Sequence, residues 1–222
     1  MRKCELRDYG RLGYGEALEL QRTLVEQRKQ GLIPDQLLMV EHPHVITLGR
    51  NGKMHNVLAS EEVLRRAGVS FFPTDRGGDV TYHGPGQLVG YPVFDLREWK
   101  RDVVGYVRAM EQALIDTLGD YGIEGGREEG MTGVWVAGRK IAAIGVHISR
   151  WVTSHGFALN VTTDLRYFQY IVPCGLTKPV TSMAECGAAP ERAELVSAVA
   201  RHFAGVFEME MVVPAIASEE AR

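Results

Sequence analysis

Helix patterns and strand patterns alternate along the whole chain, and this alternation restricts the fold more than any other feature of the sequence. Apolar residues recur at helical spacing in three stretches, residues 13–30, 103–121 and 190–206. Short apolar runs typical of buried strands occupy residues 37–40, 45–48, 69–72, 88–96 and 157–161. Residues 134–136 and 141–148 flank a short turn and predict a hairpin. This interleaving predicts an α+β (α/β-type) fold with helices packed on a mixed β-sheet, rather than a bundle or a β-sandwich.

Local sequence signals mark the start of a short additional helix and of the last helix. Ser60 can cap a short helix whose first turn holds Glu61 and Glu62. Pro190 is expected at the first position of the last helix, where its missing N–H costs no hydrogen bond. The chain has 222 residues, 45% of them hydrophobic, and contains no repeat or linker. We therefore expect one domain over residues 1–213, followed by a frayed tail over 214–222.

Charge and hydropathy exclude several classes of partner. The chain has 25 Lys and Arg against 28 Asp and Glu, a formal net charge of −3, and no block of like charges. Binding to nucleic acid through phosphate neutralisation is therefore not expected. The N-terminus is charged, and the sequence has no apolar run of about 18 residues, so neither a signal peptide nor a membrane partner is expected. The expected location is the cytoplasm.

The cysteines and one histidine pair give few signs of a disulfide or metal site. Cys4, Cys174 and Cys186 form no C-x-x-C pair, which argues for free thiols in a reducing compartment. Cys4, beside a terminus expected to be mobile, and Cys186 are expected to be inert. His42 and His44 lack further ligands at zinc spacing, so no metal is predicted.

Residues 76–87 form a glycine-rich block that precedes an apolar strand. Its small residues let a ligand approach the backbone, and Arg76, Tyr82 and His83 could fix the polar end of that ligand. The block matches neither G-x-G-x-x-G nor a P-loop, so a nucleotide-phosphate site is not supported. A ligand-binding loop is one interpretation, and an ordinary glycine-rich turn is the other.

Cys174 is the strongest candidate nucleophile, because it follows a proline and precedes a glycine in an expected loop. A reactive thiolate needs a nearby cation or helix N-terminus, and Lys140, His83, His147 and His155 are the candidates. The alternative is an inert buried cysteine.

Small residues alternate with apolar ones over residues 140–147 and 155–160. Strands of this composition leave room above a sheet, which could accept an alkyl chain. Two tightly packed neighbouring strands would show the same pattern.

Five segments together resemble the lipoyl(octanoyl) transferase family of lipoate biosynthesis: RGGDVTYHGPGQLVGYP, GRKIAAIGVHI, SHGFALNV, PCGL and VTSM. The resemblance covers residues 35–187. It implies the catalytic-domain fold of biotin and lipoate ligases. It also implies transfer of an octanoyl group, without a cofactor, from octanoyl-acyl carrier protein to a lysine of a lipoyl domain. Such domains belong to 2-oxoacid dehydrogenase complexes and to the glycine cleavage H protein.

Residue by residue, the resemblance implies that Cys174 carries the acyl group as a thioester and that Lys140 lowers the pKa of its thiol. The segments implied to contact substrate are Arg76, Gly77, Gly78, Asp79, Val80, Thr81, Tyr82 and His83, then Ala143, Ile144 and Gly145, and finally Gly156, Phe157 and Ala158.

Three alternatives stay open at this point. An ATP-dependent lipoate or biotin protein ligase would share the fold but would adenylate its substrate. A papain-like thiol hydrolase would pair Cys174 with a histidine, yet its local signature is absent. A noncatalytic module that binds the carrier protein would keep its function in a Cys174→Ser variant.

Overall fold

The computed structural model describes residues 1–172 and 178–214. Its strands are β1 (Arg2–Arg11), β2 (Asp35–Glu41), β3 (Val45–Leu48), β4 (Ser70–Pro73), β5 (Val80–His83), β6 (Gln87–Val93), β7 (Val134–Val136), β8 (Arg139–Ser149), β9 (Val152–Asn160) and β10 (Met209–Val212). Its α-helices are α1 (Tyr14–Lys29), α2 (Glu61–Arg66), α3 (Val103–Gly119) and α4 (Arg192–Val206). Short 3₁₀ turns lie at Met54–Asn56, Leu96–Glu98 and Leu165–Tyr170.

Seven strands form a large mixed sheet in the order β10-β1-β2-β6-β9-β8-β7. β1 runs parallel to both β10 and β2, whereas the pairs from β2 through β6, β9 and β8 to β7 are antiparallel. A second sheet has the order β4-β3-β5, with β3 parallel to β4 and antiparallel to β5. The mixed sheet predicted from the sequence is confirmed.

Helices cover both faces of the large sheet. On β2, Leu37 and Met39 belong to the apolar cluster that includes side chains of α3 and α4. Leu38 and Val40 belong to the cluster that includes side chains of α1. Successive strand residues point to opposite faces, so a strand covered on both sides is apolar at every position. This packing explains why the strand appears in the sequence as an uninterrupted apolar run.

Most of the predicted elements are confirmed, including the hairpin of β7 and β8. Ser60 caps α2 as predicted, since its hydroxyl accepts a hydrogen bond from the Val63 N–H. Pro190 does not occupy the first helical position, because α4 begins at Arg192 after the cap residue Glu191. Residues 76–87, interpreted from the sequence as a loop or a turn, contain a strand, because β5 lies inside them and pairs with β3.

Two terminal strands were not predicted, and they correct the expectation of a mobile N-terminus. β1 lies between β2 and β10, and its Cys4 side chain is fully buried. Burial raises the pKa of the Cys4 thiol well above its ordinary value, which agrees with the inert role expected for it. Of the predicted tail, residues 215–222 lie outside the described residues. Within the described chain, no helix combines the length and apolar character needed to cross a membrane.

Candidate active site

A cavity of about 480 Å³ lies between the two sheets. Its walls come from the start of α1, from the glycine-rich block and β5, and from β6, β8 and β9 of the large sheet. Residues 130–132, Phe168, Val180 and Val107 of α3 also line it. The cavity is therefore assembled from segments that are far apart in the sequence, and its size is in the range of small-molecule sites.

The first turn of the glycine-rich block is held by backbone hydrogen bonds to the segment after β3. The Arg50 N–H donates to Arg76 O at 2.9 Å, and the Asn51 N–H donates to Gly78 O at 3.1 Å. The Asp79 carboxylate accepts hydrogen bonds from the backbone N–H groups of Val80 and Lys53. These bonds give the loop a defined shape.

Arg76 is buried, and its guanidinium is anchored to β3. Nη2 donates to Thr47 O at 2.8 Å, Nε and Nη2 also contact Thr47 Oγ1, and Nη1 donates to Gly77 O at 3.1 Å. Because the guanidinium is planar and always charged, these bonds place a fixed positive charge at the cavity wall.

The floor of the cavity is formed by small residues of β8 and β9. Ala143 pairs with Ala158 and Gly145 pairs with Gly156, so small residues lie opposite each other across the two strands. Gly156 also packs against β6, where an added Cβ would come 2.2 Å from Gly90 O. The room expected above these strands from their composition is therefore present.

His83 belongs to a buried chain of side chains at the cavity wall. Its Nδ1 lies 2.8 Å from Gln87 Oε1. Gln87 Nε2 donates to Asn160 Oδ1 at 2.9 Å and to Tyr82 O at 3.2 Å. Burial, together with the nearby His42 and Arg76, lowers the pKa of His83 to about 3. The imidazole is therefore neutral at physiological pH.

A second buried histidine, His42, packs against His83. His42 Nδ1 lies 2.7 Å from Leu12 O, which can only accept, so this nitrogen carries the proton. His42 Nε2 then accepts a hydrogen bond from the Tyr91 hydroxyl at 2.7 Å. Burial lowers the pKa of His42 to about 4 and raises the pKa of Tyr91. Tyr14 stacks on His83 and contacts the edge of His42.

His147 and His155, two of the predicted partners for a thiolate, both contact the Asp75 carboxylate. His147 Nδ1 lies 2.7 Å from Asp75 Oδ2, and His155 Nε2 lies 2.8 Å from Asp75 Oδ1. Burial lowers the pKa of His155 despite this carboxylate. Burial would raise the pKa of Asp75, but the hydrogen bond from His155 and the charges of both histidines outweigh it and lower that pKa.

Lys140 lines the cavity from β8, and its backbone is hydrogen-bonded to residues 179 and 181. The Lys140 N–H donates to Pro179 O, and Lys140 O accepts from the Thr181 N–H, both at 2.9 Å. Its ammonium Nζ lies 4.7 Å from the centre of the Trp135 ring. Cys174 lies outside the described residues; the Val172 N–H, two residues before it, donates to Asn56 O.

Lys140 and almost all of the predicted substrate-contacting residues line the cavity. They are Arg76, Gly77, Gly78, Asp79, Val80, Thr81, His83, Ala143, Ile144, Gly145, Gly156, Phe157 and Ala158. Tyr82 is absent from the described lining. It is fully buried beside Tyr167 and Phe168, with its hydroxyl oxygen 2.7 Å from His44 Nδ1. Alternation along β5 turns Tyr82 away from the cavity while its neighbours Thr81 and His83 face it.

Sequence reasoning missed several lining residues. Gln87, Tyr91 and Asn160 lie inside the segments that resemble the family, so the resemblance could have identified them. Tyr14 and Val107 come from helices and reach the cavity only through tertiary packing. Residues 1–172 and 178–214 contain no group of three or more His, Cys, Asp or Glu side chains placed to hold a metal ion.

The fold is similar to that of lipoate-protein ligases. The structure of lipoate-protein ligase A bound with ATP superimposes with a TM-score of 0.80, at 16% identity, over 98% of this chain and 90% of that one. A bipartite lipoate protein ligase from Thermoplasma acidophilum gives a TM-score of 0.79, at 16% identity, over 98% of this chain and 89% of that one. At such identities the likeness concerns the fold alone.

The family described as lipoyl protein ligase A/B catalytic domain matches residues 13–204, and the chain belongs to this family. An octanoyltransferase of Solibacter usitatus is 68% identical to it over 96% of both chains. Octanoyltransferases of Koribacter versatilis and Flavobacterium johnsoniae are 55% and 45% identical, over 91% and 95% of this chain and 84% and 99% of theirs. These relatives make the chain an enzyme of the acyltransferase class.

Proposed function

We propose that this enzyme transfers an octanoyl group from octanoyl-acyl carrier protein to a lysine of lipoyl domains, through a thioester on Cys174. The observation that carries the proposal is the 68% identity to an octanoyltransferase over 96% of both chains. The small-residue floor of the cavity suits an unbranched alkyl chain. Residues 1–213 act as one catalytic domain in this proposal.

In the first half-reaction, the Cys174 thiolate attacks the carbonyl carbon of the donor thioester. A bond forms between Sγ and the acyl carbon, and the bond from that carbon to the carrier sulfur breaks. The carrier leaves as a thiol after taking a proton from the Lys140 ammonium, which becomes a neutral amine. One thioester replaces another, so the step is nearly balanced in free energy and needs no nucleotide. Lys140 favours the thiolate, because a nearby ammonium stabilises the charged form.

Three features of the described residues support a role for Lys140 beside Cys174. Lys140 lines the cavity, and its backbone pairs with residues 179 and 181. Only three residues separate Cys174 from Lys178 in the sequence. On the other side, Val172 is anchored to Asn56. Hydrogen bonds therefore hold the chain on both sides of Cys174 in the sequence, and those on the C-terminal side are made with Lys140.

In the second half-reaction, the acceptor lysine attacks the acyl-enzyme. Its neutral amine forms the amide bond, the bond from the acyl carbon to Sγ breaks, and the proton released by the amine goes to Lys140 in its neutral form. The bipartite ligase of Thermoplasma acidophilum is described with its E2 lipoyl domain as one lipoylation system, which supports a lipoyl domain as the acceptor here. Substrate is held by Lys140, by the glycine-rich block from Arg76 to Asp79 with Val80, Thr81 and His83, and by the small residues of β8 and β9.

Intact mass spectrometry tests the proposal directly. Incubation with octanoyl-acyl carrier protein should add one octanoyl mass that hydroxylamine removes, and later addition of a lipoyl domain should move that mass to the domain. Cys174→Ala should abolish the adduct, whereas the matched control Cys186→Ser should keep it. An adduct that persists in Cys174→Ala would exclude the proposed nucleophile.

A nucleotide-free reaction separates this proposal from the ligase alternative. Transfer should proceed without ATP, because the donor thioester already carries the activation. A strict requirement for ATP and free octanoate would instead identify a ligase.

A further inference from the structure

The hydrogen bonds between β5, β6 and β9 define the orientation of two side-chain amides. Asn160 Nδ2 donates to Thr181 O at 2.9 Å, and a backbone carbonyl can only accept, so Asn160 Oδ1 faces Gln87. Gln87 Nε2 donates to that oxygen and to Tyr82 O. Both ends of the chain of bonds are thus set by backbone carbonyls, and neither amide can be reversed without placing oxygen against oxygen.

This orientation determines which nitrogen of His83 carries the proton. Gln87 Oε1 lies 2.8 Å from His83 Nδ1 and can only accept a hydrogen bond, so Nδ1 is protonated. The lone pair of the neutral imidazole is then on Nε2. Among residues 1–172 and 178–214, no hydrogen-bond partner of Nε2 is found, and His83 lines the cavity.

We propose that Gln87 and Asn160 are positioning residues that hold His83 in its Nδ1–H tautomer, so that Nε2 accepts a hydrogen bond from the attacking amine of the acceptor lysine. This inference rests on the proposed function. The amine keeps its own lone pair for attack on the acyl carbon and donates one N–H to Nε2. That hydrogen bond orients the amine, while its proton is removed by another group.

The chemistry of the two half-reactions selects the amine as the donor to Nε2. The attacking Cys174 thiolate has no proton to donate, and the donor thioester has none at its reacting atoms. The acceptor lysine is the reactant that brings an N–H to the reacting atom. A neutral acceptor suits this role better than an imidazolium, which would repel an amine N–H, and the burial of His83 keeps it neutral.

The first test is the tautomer itself in the full-length wild-type enzyme. Two-dimensional NMR on protein labelled with ¹⁵N-histidine, with His83 assigned through its backbone, should show a protonated Nδ1 and an unprotonated Nε2 at pH 7. An Nε2–H tautomer, or an imidazolium, would overturn the proposal. This measurement needs no variant, so it decides the matter even if a substitution fails to fold.

The second test separates the two half-reactions in a Gln87→Leu variant. Losing the acceptor for Nδ1–H should move the proton of His83 to Nε2. Transfer from the acyl-enzyme to a lipoyl domain should then slow by about tenfold or more, the equivalent of one hydrogen bond, while formation of the acyl-enzyme changes less than about twofold. Equal slowing of both steps would indicate a merely structural role and overturn the proposal.

Gln36→Leu is the matched control for that variant. Gln36 is a fully buried glutamine on β2, its amide donates to Pro34 O, and it is not among the described residues that line the cavity. The same substitution there should leave both half-reactions and the His83 tautomer unchanged. The tautomer readout is independent of activity, so an enzyme that never forms an acyl-enzyme would refute the proposed function while leaving this tautomer result standing.

Discussion

The carbonyl oxygen of Gly77 lies 2.8 Å from the position that a Cβ on Gly145 would occupy. The Gly77 N–H also donates to Val146 O at 2.8 Å. The glycine-rich block therefore rests directly on β8, backbone against backbone, with no side chain between them. This contact joins the two sheets at the wall of the cavity.

Gly145→Ala should displace this wall. The added methyl group would press on the Gly77 carbonyl and on Cδ of Arg76, 3.3 Å away, and overpacking of this kind costs about 1–3 kcal/mol. We expect a lower free energy of unfolding in urea and a raised KM for octanoyl-acyl carrier protein. Gly119→Ala, where an added Cβ meets nothing within 4 Å, is the matched control and should be neutral or slightly stabilising. A Gly145→Ala enzyme with unchanged stability and KM would contradict the close contact.

Lys140→Met should raise the pKa of the Cys174 thiol toward its ordinary value of about 8.5, because the stabilising ammonium is lost. The measurement is the rate of iodoacetamide alkylation against pH, beside single-turnover transfer to a lipoyl domain. Lys140→Arg should restore part of the thiolate but leave transfer impaired, since a guanidinium does not give up its proton.

Lys178→Met is the control for that experiment. Lys178 also lies over the Trp135 ring, at 5.1 Å, but its ammonium is paired with Glu128 at 2.9 Å. Its removal should shift the thiol titration much less. Identical titrations in wild type and Lys140→Met would show that Lys140 is not the activator.

Stability should fall as the pH is lowered from about 6.5 toward 4. The pKa of His83 is lowered to about 3 and that of His42 to about 4 in the folded protein, both chiefly by burial. In this window the unfolded chain binds protons that the folded protein does not, so each histidine adds up to about 1.4 kcal/mol per pH unit to the slope of stability against pH. Urea unfolding of wild type and His42→Gln measures this slope. Between pH 6 and 4.5, the slope of unfolding free energy against pH should be smaller in the variant by the contribution of one proton. Above pH 7.5 the two slopes should be the same. Equal slopes over the whole range would show that His42 is not responsible.

Ala158→Val should shift the enzyme toward shorter acyl chains. Ala158 is buried opposite Ala143 in the floor of the cavity, so added methyl groups occupy space that the alkyl chain needs. Each methylene that no longer fits should cost about 0.8 kcal/mol, or about fourfold in kcat/KM. The comparison is between hexanoyl and octanoyl donors. Ala193→Val, at an exposed position in α4, should leave their ratio unchanged; a loss that is equal for both donors in Ala158→Val would argue against a chain-length effect.

Local patterns in the sequence were sufficient for the helices and for most strands. Hydrophobic periodicity depends on the geometry of a single helix or strand, so it is visible without knowledge of the fold. Ser60 is an example, because an N-cap needs only the next three residues. The recognised segments likewise included Lys140, Arg76 and His83, which the structure brings to one cavity.

Tertiary structure alone decided the features that depend on strand pairing and on packing between distant segments. β1 is polar at many positions, and it is a strand because β2 and β10 supply hydrogen bonds on both sides. Tyr82 and His83 are neighbours in one motif, yet β5 pairing buries the first outside the cavity and leaves the second at its wall. The protonated nitrogen of His83 depends on Gln87, whose amide is oriented by Asn160 because β6 pairs with β9. Such contacts are not local, so no pattern within a short stretch of sequence could reveal them.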